Sequence, residues 1–442
     1  MIAIGGAIGT GLFFGAAKSI QLTGPSIILS YLLGGIIMYI VLRALGEMTV
    51  HEPNFGSFSH YAYKYVNNYL GFLSGWYSWF EYTIVCMLEV TAVAIFLDTW
   101  FPFIPHWVSI AIMLAIFFSI NIINIKVFGE FEFWFAGIKV ATIIVMIIFA
   151  AYLLFFDATI RNNSILNINS YLKSSIYANG MYGFLCSLVL VVFSFGGSQF
   201  IGIAAADAEY PNITVPKAIR GVILRIVLFY IGTLLVILIL YPWHKLSSTT
   251  SPFVDVFYKI GFTSAAHIMN IVAITAALSA FNSCLYSAAR MLANLGKHNS
   301  APAFLGNLNA RHIPINALVG TSIVIAITIL INYLFPEKAI IYLIAIATTS
   351  IIITWTTIII CHIFFRLKNK HLIITYKLPL FPWLNILAII FLLGIIAIMY
   401  KMSDMKMAVQ LMPLWIGGLT LLYCIMTALR QRHNKIQQSE FQ

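Results

Sequence analysis

Charge is what this sequence has least of. Only 9% of its 442 residues are Asp, Glu, Lys or Arg, whereas 61% are hydrophobic, and the mean hydropathy is +0.95. That is too little polar surface to cover a water-soluble globule, so the chain reads as a polytopic membrane protein. Acids are scarcer still, 14 against 25 bases, for a net charge of +11. The bases lie between and after apolar runs rather than in one block, which argues for membrane topology and against a nucleic-acid surface. Cysteine is rare as well: Cys86, Cys186, Cys284, Cys361 and Cys424 all fall in apolar runs, without CxxC spacing. They read as small core residues, not disulfides or metal ligands. The ten histidines show no HExxH-type spacing, and no nucleotide loop or nucleophile–base pair stands out. An enzyme, a metal and a bound cofactor are therefore not expected. The start MIAIGG has no basic lead or cleavage site and does not read as a signal peptide.

What the chain does have is long hydrophobic runs. A membrane helix needs about 20 apolar residues, and such runs occur at 2–17, 25–46, 72–97, 107–124, 133–156 and 182–206, then at 221–241, 265–291, 316–334, 339–364, 383–400 and 408–428. The expected fold is all-α and integral to the membrane, with about 12 spans. About sixteen Lys and Arg, among them Arg43, Lys217, Arg290 and Arg366, fall on one side and about eight, among them Lys18, Lys245 and Lys406, on the other. The richer side is cytoplasmic, which places the C-terminus inside. The first run begins at Met1 without a polar lead-in, as in a shortened chain. Residues 51–71, HEPNFGSFSHYAYKYVNNYLG, suggest an interfacial helix. Segment 157–181 is rich in Asn and Ser and reads as an external loop, and the polar tail 429–442 reads as disordered.

The first run, IAIGGAIGTGLFFG, is crowded with glycine, and so is the sixth, VVFSFGGSQFIGIAAAD. GxxxG-like spacing lets helices pack closely; alternatively, glycine lets a helix unwind where its freed backbone groups line a cavity. The two runs each open a group of five spans. Matching breaks in two halves are the pattern of an inverted-repeat transporter, in which half-helix N-termini suit a carboxylate and freed carbonyls suit an ammonium. An amino acid carries both groups.

The motifs GGAIGTGLF, GEM, GSFSHYAYKY, KVFGEFEFWFAGIKV, FSFGG, IGIAAADAEYPNITVPKAI, YPW and TAALSAFNS, in order along residues 2 to about 428, resemble those of the amino acid permeases of the amino acid–polyamine–organocation superfamily, bacterial amino acid transporter branch. The resemblance implies a LeuT-like inverted repeat of five plus five helices with two more, the first and sixth broken. The halves are 1–156 and 182–364, the added pair 383–428, with 429–442 a cytoplasmic tail. It also implies that Ala7, Gly9, Thr10 and Gly11 hold a substrate carboxylate, and that Phe193, Ser194, Gly196 and Gly197 face its amino group, Phe193 as a gate. Ser279, Asn282 and Cys284 match the eighth helix, with Ser279 among the proton-coupling candidates and Cys284 among the substrate-binding ones. Gln199, also a substrate-binding candidate, stands where the family commonly has Glu, and Asp207 likewise; the Gln removes a negative charge and leans away from cationic substrates.

Ionisable groups at membrane depth are functional candidates by default. Lys139 either snorkels to the interface or, as the resemblance implies, couples a proton from a position that sodium occupies in other transporters. Glu81 and Glu89 lie about 80° apart around one helix. Glu89 matches a family acid and is the stronger candidate for proton relay; its plainer role is a protonated carboxyl bonded to a neighbouring helix. Glu47, Glu52, Glu130, Glu132, Asp207 and Glu209 read as ion pairs near the cytoplasmic ends that contribute little stability. Trp76, Trp79, Trp100 and Trp107 read as interface belt.

The expected function is uptake of a neutral, aromatic or proline-like amino acid by proton symport and alternating access. The proton gradient drives it, without a cofactor. The chain acts as a monomer in the bacterial inner membrane, with the amino acid, protons and lipid as its partners. An exchanger without net proton coupling and a non-transporting amino acid sensor are the alternatives.

Overall fold

The computed structural model describes residues 9–52, 58–123, 125–173, 177–199, 210–246, 251–371 and 376–440; Ala7 lies outside them. All regular structure among these residues is helical. The first described helices are α1 (Thr10–Phe13) and α2 (Gly15–Thr23), followed by a turn through Gly24–Ser26 and by α3 (Ile27–His51). A short α4 (Ser59–Tyr61) and a π-turn (Ala62–Val66) lead to α5 (Asn68–Leu97), followed by α6 (His106–Ile123), α7 (Ile125–Phe156) and α8 (Ala158–Lys173). Next come α9 (Gly180–Ser194), α10 (Pro211–Arg225), a π-segment (Ile226–Gly232), α11 (Thr233–Leu240) and α12 (Pro252–Lys259). The remainder is α13 (Thr263–Lys297), α14 (Ile315–Leu334), α15 (Ala339–Lys368), α16 (Trp383–Lys401) and α17 (Ser403–Glu440).

Among the described residues, eight helical stretches are long and apolar enough to span a bilayer, and three shorter apolar ones lie at His106–Ile122, Gly180–Ser194 and Leu228–Leu240. They divide by burial. In the most apolar stretch of α5 and of α15, 78% of residues are buried, and in α13 72%, against 6% in α17. The inner helices are thus clad by outer ones whose Leu and Ile face outward, as lipid requires. Small residues explain the close centre: α13 buries Ala266, Ala273, Ala276, Ala277, Ala280 and Ala288, so its backbone can approach its neighbours.

Several sequence-based expectations change. The segment read as an external loop contains α8: the Asp157 carboxylate accepts from the N–H groups of Thr159 (2.9 Å) and Ile160 (3.0 Å), capping a helix that Asn and Ser had disguised. The tail read as disordered continues α17 to Glu440, since no Gly or Pro follows Gly418 to stop it. The described part of the 51–71 connection holds α4 and the π-turn before Asn67 caps α5, its Oδ1 accepting from Leu70 N–H at 2.8 Å. Cys424 is exposed on α17 rather than in the core. Trp79 belongs to the interior, its indole N–H donating to Thr321 Oγ1 at 3.1 Å.

Glu47 is no exposed loop acid. Its side chain is wholly buried, and Oε2 accepts from Leu378 N–H (2.6 Å) and from the Arg366 guanidinium (3.1 Å), with His362 Nε2 3.1 Å away; Arg366 Nε meets Oε1. His362 Nδ1 in turn lies 2.9 Å from Asn385 Nδ2. One carboxylate therefore fastens α3 to α15, to the 376–378 segment and, through His362, to α16. Glu52 keeps the expected character, a partly exposed pair with Lys64. The side chains of Glu130, Glu132, Asp207 and Glu209 lie outside the described part.

Arg366→Met, which leaves Glu47 buried without its cation, is expected to cost about 3–5 kcal/mol. The double change Glu47→Leu with Arg366→Met is expected to cost clearly less. Thermal unfolding in detergent, followed by tryptophan fluorescence, checks both; equal losses would show that the pair is not what holds these helices.

Candidate substrate site

The first helix begins abruptly at Thr10, and the opening N–H groups of a helix have no partner within it. The Thr10 N–H lies 3.2 Å from both Oε1 and Oε2 of Glu89, and its hydroxyl donates to Oε1 at 3.0 Å. Thr10 is 1% and Glu89 4% exposed. Gly9 is pinned between two helices. A Cβ there would lie 2.4 Å from Glu89 Oε1 and 2.9 Å from the Ala280 Cβ on α13.

One residue on, α1 meets the C-terminal end of α9. α9 ends at Ser194, and the chain turns through residues 195–199, with Gly197 at a φ of 84°. The Ser194 hydroxyl reaches the carbonyl oxygens of Gly11 (2.7 Å) and Leu190 (3.0 Å) and accepts from the Tyr31 hydroxyl (3.0 Å). The Ser194 carbonyl accepts from the Tyr230 hydroxyl at 3.0 Å. Gly11 is required for this contact, because a Cβ on it would fall 2.6 Å from Ser194 Cα, a backbone atom that cannot step aside.

Lys139 is fully buried on α7, at 0% exposure, and acts electrostatically on Glu89. A lysine with no exposed atoms is not snorkelling to the interface. Ser279, Asn282 and Cys284 are buried on α13, where Asn282 Oδ1 accepts from Asn121 Nδ2 at 2.9 Å. Gly9, Thr10, Gly11, Ser194, Glu89 and Lys139 thus form one neighbourhood. Phe193 borders it, with its ring 3.6 Å from where a Gly15 Cβ would be.

Gln199 belongs to a second neighbourhood. Its Nε2 donates to Glu81 Oε1, its Oε1 accepts from Trp355 Nε1–H at 3.2 Å, and Thr354 Oγ1 lies 2.5 Å from Glu81 Oε2. Gly196 stands closer to this second group, a Cβ on it meeting Ile351 Cδ1 at 2.4 Å.

Sequence reasoning ranked Glu81 behind Glu89 and missed Tyr31, Tyr230, Thr354 and Trp355. Trp355 carried a signal: an indole in the middle of a span, far from the interface belt, must find an acceptor within the protein. Tyr31 and Tyr230 carried none, since their partner is fixed by tertiary packing alone.

The arrangement is a bundle of apolar helices, several of them long enough to cross a membrane, with buried polar groups at its centre. The sequence profile described as Amino acid permease matches residues 1–436. The chain is 42% identical over 418 residues to the aromatic amino acid transport protein AroP of Salmonella typhimurium (strain SL1344), covering 94% of this chain and 91% of that one. The AroP of Escherichia coli (strain K12) is equally similar, at 42% over 418 residues, with the same shares covered. The uncharacterized transporter YdgF of Bacillus subtilis (strain 168) is 38% identical over 435 residues, 98% of this chain and 94% of that one. The chain belongs to the amino acid permease family and is a multi-pass membrane transporter, not an enzyme.

Gly11→Ala is expected to drive the first and sixth helices apart at a cost of about 1–3 kcal/mol and to abolish most amino acid uptake. Gly15→Ala is expected to stay close to wild type, because its nearest contact would be an ordinary 3.5 Å to Ser194 Oγ. Uptake at matched expression checks the contrast; equal effects would show that the Gly11 approach is unimportant.

Proposed function

We propose that the chain imports an aromatic or similar neutral amino acid together with protons. The observation that carries this reading is the Glu89 carboxylate resting on the Thr10 N–H beside buried Lys139. That N–H is where a substrate carboxylate is expected, so Glu89 holds the anion site until substrate arrives. Two carboxylates cannot share so small a buried site while both are charged. The incoming one displaces Glu89, and the displaced acid takes up a proton or turns to the substrate ammonium. Lys139 balances whichever negative charge remains.

The substrate class follows from the relatives named for aromatic amino acid transport at 42% identity, and from Gln199, which leaves the sixth-helix break without a negative side chain of its own. Alternating access moves the broken helices as part of a bundle against α5, α7, α13 and α15, within a LeuT-like repeat of about 12 spans. The protein works in the bacterial inner membrane, as a monomer, with its C-terminus in the cytoplasm.

Competition of labelled phenylalanine by all twenty amino acids in proteoliposomes, with and without an inward proton gradient, tests this reading. Aromatic residues are expected to compete best and the gradient to stimulate uptake. Lys139→Ala is expected to lose that stimulation, about tenfold or more in rate for a lost contact of about 1.4 kcal/mol. Uptake indifferent to the gradient in wild type and mutant alike would leave an exchanger.

A further inference from the structure

Glu81 lies 1% exposed on α5, and its two hydrogen-bond partners come from other parts of the fold, Gln199 from the turn after α9 and Thr354 from α15. The network has a direction. An indole N–H can only donate, so the Trp355 bond fixes the Gln199 oxygen toward Trp355 and its NH2 toward Glu81. Oε1 of Glu81 is therefore an acceptor in either protonation state. Only Oε2, facing the Thr354 hydroxyl, is free to change its role.

Thr354 differs from its neighbours. Residues 348–357 include six hydroxyl side chains, and Thr348, Thr349, Ser350, Thr356 and Thr357 each donate to the carbonyl four residues earlier. Thr354 reaches across to Glu81 instead. Against a carboxylate, Thr354 donates to Oε2. Against a carboxylic acid, Oε2–H donates to Thr354 Oγ1, and the threonine turns its own hydrogen to the Ser350 carbonyl, as its neighbours do. One proton from water is added at Oε2, one hydroxyl rotates, and every polar atom of the network stays bonded.

We propose that Glu81 is a second proton-binding site of the transport cycle, with Thr354 the positioning hydroxyl that serves both its charged and its neutral forms. The proposal rests on the proton-coupled reading above. It places a proton at the junction of α5, α15 and the sixth-helix break, apart from the Glu89–Lys139 pair. The titratable groups that interact with Glu81 include Tyr82 on its own helix and Cys284 on α13; both of its hydrogen-bond donors, Gln199 and Thr354, are neutral. A charged Glu81 has only neutral donors to hold it. An uncompensated carboxylate in such surroundings is costly enough to make proton exchange there responsive to movement of Gln199.

The test follows phenylalanine uptake against pH, with infrared difference spectra of the reconstituted protein recording protonated carboxyl groups. In Glu81→Gln one protonated-carboxyl band is expected to vanish and the pH profile of uptake to flatten, whereas Glu89→Gln keeps that band. Thr354→Val removes a hydrogen bond that favours the charged form more than the neutral one, so the midpoint of the band is expected to rise by about one pH unit; Thr354→Ser is expected to restore it. Thr354→Val leaves the carboxyl in place and decides the matter should Glu81→Gln fail to fold. A gradient-stimulated wild type whose profile and spectrum are unchanged in Glu81→Gln and Thr354→Val overturns the role of Glu81 while leaving proton coupling intact. A wild type indifferent to the gradient removes both.

Discussion

Glu89 supplies the acceptor for the N–H at the start of α1, and the buried polar groups around it are arranged about that bond. Within a bilayer no water is at hand to satisfy a freed N–H, so a break survives only where the protein provides a partner. The carboxylate meets the backbone and hydroxyl of Thr10, Gly9 is bare so that α5 can bring it close, and Lys139 supplies a compensating charge. The cost of burying an ion is thereby shared among a helix end, a hydroxyl and a cation.

The sixth-helix break is held by a different device. Ser194 ties it to Gly11 and Tyr31 through its hydroxyl, and to Tyr230 through its carbonyl, all neutral bonds. Neutral hydrogen bonds contribute roughly 1 kcal/mol each and can be exchanged in pairs. The ion cluster at Glu47, whose carboxylate and His362 are fully buried while Arg366 is 17% exposed, is costly to open. The contrast places neutral, exchangeable bonds around Ser194 and an ion cluster where α3 meets the end of α15.

Much of the architecture was legible because lipid imposes a simple rule: apolar runs of sufficient length become helices. The runs at 72–97, 265–291 and 339–364 lie inside α5, α13 and α15 almost residue for residue. Errors gathered where that rule is silent. The Asn-rich stretch after Asp157 is a capped helix because one carboxylate satisfies two orphan N–H groups, and a list of turn-forming residues does not reveal that pairing. Lys18 cut the first run short on paper, yet helix continues to Thr23, since its ammonium meets Asp404 at 2.7 Å from the far end of the chain.

The sequence by itself determined the membrane character, the helical class and the choice of Lys139 and Glu89 as residues of interest, because each follows from the cost of a charge or an unsatisfied backbone group in lipid. Only the tertiary structure decided that Glu89 would meet Thr10, that Gln199 would turn its amide toward Glu81, and that Thr354 would leave its own helix to join them. Those pairings join residues 79, 118 and 273 positions apart. Directional bonds over such separations depend on which faces of packed helices are brought together, and hydrophobic periodicity alone does not specify them.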